Sequence, residues 1–261
     1  MIDSSKENKI AYWMRFYIDS VLAIAQGKND ISNFKDISYL EMIKQDINID
    51  TSLIAAAMRR RCSKSSKIAL SVSIPQIHKY KIGAVVFASQ HGELANTLSI
   101  FKDISNQEIL SPNAFSQSVH NTPSGLLSIQ HKLKIPFNSI AAGTETFEMG
   151  LIDAITQLQD HDNVLFTCYD DNVPEIFDEL NISDNLAYGI SFVISREPLS
   201  QSSIGLELEI NNNKTLLQKF NRLPSAIIFA NWYACNELNP LFLKSISCLL
   251  YTSPSPRDDI S

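Results

Sequence analysis

The sequence is poor in glycine and lacks the motifs of the common phosphate-binding loops. Only 8 of the 261 residues are glycine, and neither GxGxxG nor GxxxxGK(S/T) occurs. Glycines in such loops let the backbone approach a phosphate closely, so their absence excludes the commonest dinucleotide and nucleoside triphosphate sites. No apolar run approaches the roughly 20 residues that cross a bilayer, so we expect no membrane span.

Cysteine is also sparse, and positive charge is not in excess. The four cysteines are widely separated and form no CxxC pair: Cys62, Cys168, Cys235 and Cys248. This usage is typical of reduced thiols in a cytoplasmic protein, so we expect neither a disulfide framework nor a metal site. We also expect no cofactor, since the usual phosphate-binding loops are missing. The formal net charge of −6 argues against a nucleic-acid-binding protein, which is normally basic.

Both ends of the chain differ from its middle. Met14 begins the strand-like segment MRFYIDSVLAIA, so residues 1–13 are expected to be a non-native or disordered extension. The segment CLLYTSPSPRDDIS resembles translated sequencing-adapter read-through, and residues 248–261 are expected to be an artefactual tail. Residues 14–247 contain no repeat or linker and are predicted to form one domain.

Within that domain, apolar strands alternate with helical patterns. The helices are predicted at 36–45, 51–72, 91–104 and 144–159, and Pro123 either kinks or begins a further one. The strands are predicted at 15–25, 81–89, 138–143, 163–170, 187–195 and 203–211. This alternation indicates an α/β fold, either a layered sandwich or a doubly wound sheet.

One strand-to-helix junction has the layout of a nucleophile elbow. In SIAAGTETFEMGLIDA, residues 139–154, an apolar strand runs into a helix through Gly143. The tip carries Thr144 and Glu145 where a reactive cysteine or serine would be expected. Either Thr144 or Glu145 supports acyl chemistry there, or Thr144 simply caps the helix and Glu145 faces its positive end.

Four segments, in order and spacing, resemble the β-ketoacyl synthase-like N-terminal domain family. They are MRRRCSKSSKIAL, VVFASQHGEL, LSPNAFSQSVHNTPSGLLSI and IAAGTETFEMGLIDA, and the resemblance covers about residues 14–235. The family includes chain-length-factor-like subunits of bacterial aryl polyene pathways. The resemblance implies a thiolase-like layered sandwich equivalent to the N-terminal half of a condensing enzyme.

The resemblance also implies that the elbow has lost its nucleophile. Condensing enzymes carry a cysteine there, and with Ala154 aligned to the alanine of their pattern, Thr144 takes its position beside Glu145. They also draw histidines, or a histidine and an asparagine, from HGTGT and GFGGxN blocks that do not occur here. The implied function is a non-catalytic partner that binds an active β-ketoacyl synthase as a heterodimer and shapes its acyl tunnel in polyene or fatty-acid-type synthesis.

Two other functions stay open. The chain could be a thiolase-fold acyltransferase or thioester hydrolase that uses Thr144 or Glu145. It could also be a relic without any partner. In the FASQHGE block, Ser89 and His91 could suggest catalysis, but a strand-end turn built on Gly92 explains the same residues.

Two surfaces are implied for partners. By the resemblance, Phe115, Ser116, His120 and Asn121 lie near the two-fold axis and line the neighbour's tunnel. Alternatively, Phe115 is a core aromatic and His120 a buried histidine bonded to backbone. On the predicted helix 51–72, Arg60, Lys64 and Lys67 share one face and either dock an acidic acyl carrier protein or form a solvated face or subunit contact.

Overall fold

A single mixed sheet organises the chain. The computed structural model describes residues 13–180, 185–211, 223–236, 241–242 and 247–252. Its strands are β1 (Trp13–Ala25), β2 (Ala84–Ala88), β3 (Phe137–Ile140), β4 (Asn163–Asp170), β5 (Tyr188–Ser195), β6 (Ile204–Asn211), β7 (Leu241–Phe242) and β8 (Ser247–Thr252). The strand order is β3-β2-β4-β5-β1-β6-β8-β7.

The sheet is parallel only at one end. Strand β2 pairs in parallel with β3 and β4, whereas β5, β1, β6, β8 and β7 continue the sheet with antiparallel pairing. Parallel neighbours require crossover connections, and the helices between β2, β3 and β4 supply them. The carboxyl ends of β2, β3 and β4 therefore meet at the same end of the sheet.

Helices cover both faces of the sheet. They are α1 (Tyr39–Met42), α2 (Ala56–Arg59), α3 (Lys64–Lys79), α4 (Leu94–Ser105), α5 (Pro112–Ser116), α6 (Thr122–His131), α7 (Thr146–Gln157) and α8 (Ser225–Cys235). Helices α3 and α6 lie over one face, and α7 and α8 lie over the other. The predicted α/β layered sandwich is confirmed.

Strands β2 and β4 are buried on both faces. In β4, Val164 and Phe166 belong to the core under α7 and α8, and Leu165 belongs to the core under α3. Because neither face meets water, both strands read as continuous apolar runs rather than alternating ones. This explains why the sequence predicted them closely.

A chain of aromatic rings fills the core on the α7 and α8 side. The rings of Phe147 and Phe166 lie 5.5 Å apart, those of Phe166 and Phe192 lie 5.2 Å apart, and those of Phe192 and Phe229 lie 5.0 Å apart. All four side chains are buried. They tie helices α7 and α8 to the sheet at the level of the elbow.

The predicted continuous helix 51–72 is wrong. The chain forms α2, breaks, and starts α3 at Lys64, because the Ser63 hydroxyl accepts the Ser66 amide at 2.8 Å and caps the new helix. The Arg59 guanidinium donates to the Ile54 carbonyl at 2.9 Å and closes the preceding turn. The prediction of a single helix arose because the apolar residues keep a near-helical spacing across this break.

Other boundaries differ less. The predicted helix 36–45 shortens to α1, and Pro123 lies in the first turn of α6, where proline is tolerated. Residues 1–12 and 253–261 lie outside the described residues. Strand β8, residues 247–252, pairs with β6. The domain limits at residues 14 and 247 therefore stay predictions. Among the helices that the structure describes, none is long and apolar enough to cross a membrane.

Candidate functional site

The elbow exists as a tight turn between β3 and α7. Strand β3 ends at Ile140, and Gly143 adopts φ +59°, in the left-handed region that favours glycine. A short 3-10 turn over Gly143–Glu145 then leads into α7 at Thr146. The predicted strand-turn-helix geometry is therefore confirmed.

Thr146, rather than Thr144, fastens the elbow. The buried Thr146 hydroxyl donates to the Gly143 carbonyl at 2.7 Å and accepts the Ala142 amide at 2.9 Å. The prediction that Thr144 caps the helix is wrong, because no cap position of this turn carries a side-chain hydrogen bond to the helix amides. The hydroxyl of Thr146, two residues later, makes the bonds that define the loop.

The tip residues lack a chemical partner among the described residues. The Thr144 side chain is exposed and the Glu145 side chain is half-exposed, and neither side chain forms a hydrogen bond or ion pair with another described residue. A threonine hydroxyl needs an adjacent general base to act as a nucleophile. The geometry thus provides neither the cysteine of a condensing enzyme nor an activated substitute.

The cleft beneath the tip is too small for an acyl group. Its volume is about 10 Å³, which holds about one water molecule, whereas pockets for small molecules span about 300–1,000 Å³. It is lined by Gln90, His91, Gly143, Thr144, Thr146, Phe147, Asp170, Tyr188, Pro224 and Ser225. As formed by the described residues, the cleft at the elbow has no room for an acyl chain.

Asp170 at the carboxyl end of β4 organises the floor of that cleft. Its Oδ1 accepts the Ser89 hydroxyl at 2.7 Å and the His91 amide at 2.8 Å. Its Oδ2 accepts the Gln90 amide at 3.0 Å and the Tyr188 hydroxyl at 3.1 Å. One carboxylate therefore satisfies the whole turn that follows β2.

Burial governs the ionisation of this cluster. It raises the pKa of Asp170, and the nearby His91 lowers that pKa in part. Burial also raises the pKa values of the Cys168 thiol and the Tyr188 hydroxyl well above their usual ranges. A thiol whose pKa is raised by burial stays protonated and unreactive, so Cys168 does not replace the missing nucleophile.

The FASQHGE block is a structural turn. Ser89 is fully buried, donates to Asp170 and accepts the Gly92 amide at 2.8 Å, so its hydroxyl cannot reach a substrate. Gly92 has φ +54°, and an added Cβ would lie 2.8 Å from the His120 ring. The strand-end interpretation is supported, and sequence reasoning missed Asp170, which accepts hydrogen bonds from both Ser89 and His91.

Glu93 is a second buried carboxylate in the same region. Its Oε1 accepts hydroxyls from Ser63, at 3.0 Å, and Ser66, at 2.5 Å, and its Oε2 accepts the Asn96 amide at 3.1 Å. Burial raises the pKa of Glu93, and the serine hydrogen bonds lower it in part. It joins the start of α3 to the start of α4.

The four residues predicted at a partner surface lie close together in the sequence: Phe115 and Ser116 end α5, and His120 and Asn121 directly precede α6. Phe115 is 63% exposed, which excludes a core role, and Ser116 and Asn121 are also exposed. The half-buried His120 ring bonds the Ser89 carbonyl at 2.8 Å, as expected for a backbone-bonded histidine. The structure leaves their role in partner binding as a prediction.

A wide groove adjoins this segment. It measures about 510 Å³ and is lined by His120, Asn121, Phe137, Asn138, Ser139, Ile140 and Ala141. Strand β3 forms its wall, and within the described sheet β3 has a single neighbouring strand, β2. The groove therefore runs along an open sheet edge.

The predicted basic stripe does not share one helix face. Arg60 follows α2, whereas Lys64 and Lys67 belong to α3, across the break that Ser63 caps. Lys64 forms a 2.8 Å ion pair with Asp171.

In the described part of the chain, no group of three or more His, Cys, Asp or Glu residues is arranged to hold a metal ion.

Comparison with solved structures shows the same fold. A chain of the complex between the ketosynthase ApeO and its chain length factor ApeC from Xenorhabdus doucetiae matches with a TM-score of 0.76 and 21% identity, covering 92% of this chain and 99% of that chain. These values establish a shared thiolase-like architecture.

Two further structures align over a smaller part of their own length. The ishigamide ketosynthase/chain length factor gives a TM-score of 0.56 at 14% identity, covering 72% of this chain and 63% of that chain. The type II acyl-carrier protein and ketosynthase complex AntDE:AntF gives 0.52 at 10%, covering 71% and 64%. The chain thus spans less than two thirds of both.

The sequence itself identifies the family. No curated protein sequence matches the chain. Residues 36–228 match the family model described as beta-ketoacyl synthase, N-terminal domain, and this match contains the elbow, the Asp170 cluster and the groove. The chain therefore belongs to the family of the beta-ketoacyl synthase N-terminal domain.

Proposed function

We propose that the chain is a non-catalytic partner of an active β-ketoacyl synthase. It binds that enzyme as a heterodimer and completes the tunnel in which the acyl chain grows, in aryl polyene, other polyene or fatty-acid-type synthesis. The condensation reaction belongs to the partner's cysteine. The observation that carries this proposal is a correctly folded elbow whose tip has Thr144 in place of a cysteine, with no general base hydrogen-bonded to it among the described residues.

The elbow supports an architectural role. Thr146 keeps the turn rigid with two hydrogen bonds, and Gly143 supplies the required left-handed backbone, so the local structure persists without catalytic side chains. The cleft of about 10 Å³ has no space for an acyl thioester. A thioester hydrolase or acyltransferase would need room and an activating base at Thr144 or Glu145.

The region beside β3 supports partner binding. Open sheet edges expose unpaired backbone groups and tend to be covered by another chain. Large apolar side chains are exposed in the segment that leads to the groove: Phe101, Ile104, Ile109, Leu110, Phe115 and Val119. Exposed apolar surface of this kind marks protein interfaces, and one similar structure holds a ketosynthase with its chain length factor.

An acyl carrier protein contacts this assembly indirectly, through the ketosynthase. Arg60 and Lys67 remain candidate contacts for its acidic surface, although the break between α2 and α3 separates them. Neither forms an ion pair with another described residue. We treat carrier-protein docking on this chain as subordinate to ketosynthase binding.

Co-expression with a β-ketoacyl synthase from the same genome tests the proposal. Size-exclusion chromatography with light scattering should give a stable 1:1 complex. Phe115→Glu should weaken that complex because it places a charge in the apolar contact. Leu40→Glu is the matched control, since Leu40 is 60% exposed and lies on α1, which follows β1, four strands away from β3. Absence of a complex with the unmodified chain would overturn the proposal.

A further inference from the structure

A hydrogen-bonded carboxylate, that of Asp153, lies beside the open edge of the sheet. Asn138 of β3 donates its side-chain amide to both carboxylate oxygens of Asp153 on α7, at 3.2 and 2.9 Å. This pair of bonds holds the carboxylate next to the edge strand. In the described part of the chain, Asp153 forms no ion pair that would neutralise it.

The two faces of β3 differ in charge. Asn138 lies on the face covered by α7, whereas the Ser139 hydroxyl bonds the Ser124 hydroxyl of α6 at 3.0 Å on the opposite face. The α6 side of the strand is thus polar but neutral at this point. The α7 side presents the Asp153 carboxylate.

Symmetry determines what a second copy would meet at this edge. Two identical edge strands that pair antiparallel are related by a two-fold axis perpendicular to the sheet, so the α7 helices of both copies lie on the same side. The two Asp153 carboxylates would then flank the axis together. Strand β3 has only four residues, so the antiparallel register can shift by only a few residues, at about 3.3 Å each. Such a shift changes the distance between the two Asp153 carboxylates little.

We propose that Asp153 selects the partner at this edge. It opposes pairing of β3 with a second copy of the same chain through like-charge repulsion. It favours a subunit that presents a neutral or positively charged side chain at the facing position. This inference rests on the proposed function, because it concerns the edge assigned there to the ketosynthase.

Self-association of the full chain, measured alone by sedimentation equilibrium, tests this role. Asp153→Asn keeps the size of the side chain and an oxygen that can accept from Asn138. We expect it to lower the dimer dissociation constant about tenfold at low salt. At about 0.5 M salt the difference should shrink, because screening removes repulsion between exposed charges.

Asp160→Asn is the matched control. It removes the same charge from the exposed turn between α7 and β4, and β2 separates β4 from the edge strand. Equal dimer constants for the unmodified chain and Asp153→Asn, or a gain that is unaffected by salt, would overturn the inference. This readout needs no ketosynthase, so its failure is distinct from failure to form the heterodimer.

Discussion

The Asp170 carboxylate, at the end of β4, accepts the Ser89 hydroxyl at 2.7 Å, at the end of neighbouring β2. The two residues are 81 positions apart in the chain. Their bond fixes the turn that forms the floor of the elbow cleft. Because β2 and β4 pair in parallel, their carboxyl ends lie at the same end of the sheet, and this makes the contact possible.

Removal of the Asp170 carboxylate should destabilise the fold strongly. Asp170→Ala leaves the amides of Gln90 and His91 and the hydroxyls of Ser89 and Tyr188 without their acceptor. We expect a loss of about 3 kcal/mol or more in the free energy of unfolding, measured by urea denaturation. A loss below about 1 kcal/mol would show that water replaces the carboxylate.

Asp170 also shows what the sequence could and could not predict. Strands 81–89 and 163–170 were predictable because both are continuous apolar runs, and an aspartate at the end of one of them was visible. The four groups that donate hydrogen bonds to Asp170 were not predictable, since no local sequence pattern relates Asp170 to Ser89 or Tyr188. Only the strand order reveals that relationship.

Helix α8 was missed for a different reason. In the segment SAIIFANWYAC apolar residues occur on all sides, so no amphipathic period distinguishes it. Its side chains are mostly buried, and Ser225 donates to Glu148 of α7 at 2.6 Å. The opposite error occurred at 51–72, where a regular apolar period ran across the Ser63 cap.

The buried carboxyl groups should make stability depend on pH. Burial raises the pKa of Glu93 in the folded protein, so folding favours the protonated form. The stabilisation is complete below the ordinary carboxyl pKa of about 4 and is lost as pH rises through the higher folded value.

Glu93→Gln should remove this dependence. Urea titrations between pH 4 and 7 should show the free energy of unfolding of the unmodified chain falling relative to that of the variant as pH rises. Parallel curves would contradict the raised pKa of Glu93.

His131 should make stability depend on pH in the opposite direction. Burial and nearby His78 lower the pKa of His131, so its contribution to stability falls as the pH drops through about 6.5.

The two threonines of the elbow should differ sharply. Thr146→Ala removes two hydrogen bonds from a buried turn and should cost about 1–2 kcal/mol in the free energy of unfolding. Thr144→Ala alters an exposed side chain and should change stability by less than about 0.5 kcal/mol. Thermal and urea unfolding of both variants measure this. The reverse order would restore Thr144 as the residue that fastens the turn.

The aromatic core should be the main support of the layer beneath the elbow. Phe166→Ala breaks ring contacts to Phe147 and Phe192 and should cost about 3–5 kcal/mol in the free energy of unfolding. Phe101→Ala is the control, since Phe101 is 62% exposed and its truncation should cost less than about 0.5 kcal/mol. Similar losses for both would contradict the packing described here.

The condensation rate of the reconstituted ketosynthase complex tests the central claim most directly. Thr144 and Glu145 are replaced together by alanine, and the rate and product length are measured with malonyl- and acyl-carrier protein as substrates. If this chain is a non-catalytic partner, both should match those of the unmodified complex within about twofold. A loss of about 100-fold or more, the scale of a missing acid-base or nucleophilic group, would place chemistry at this elbow and contradict the account.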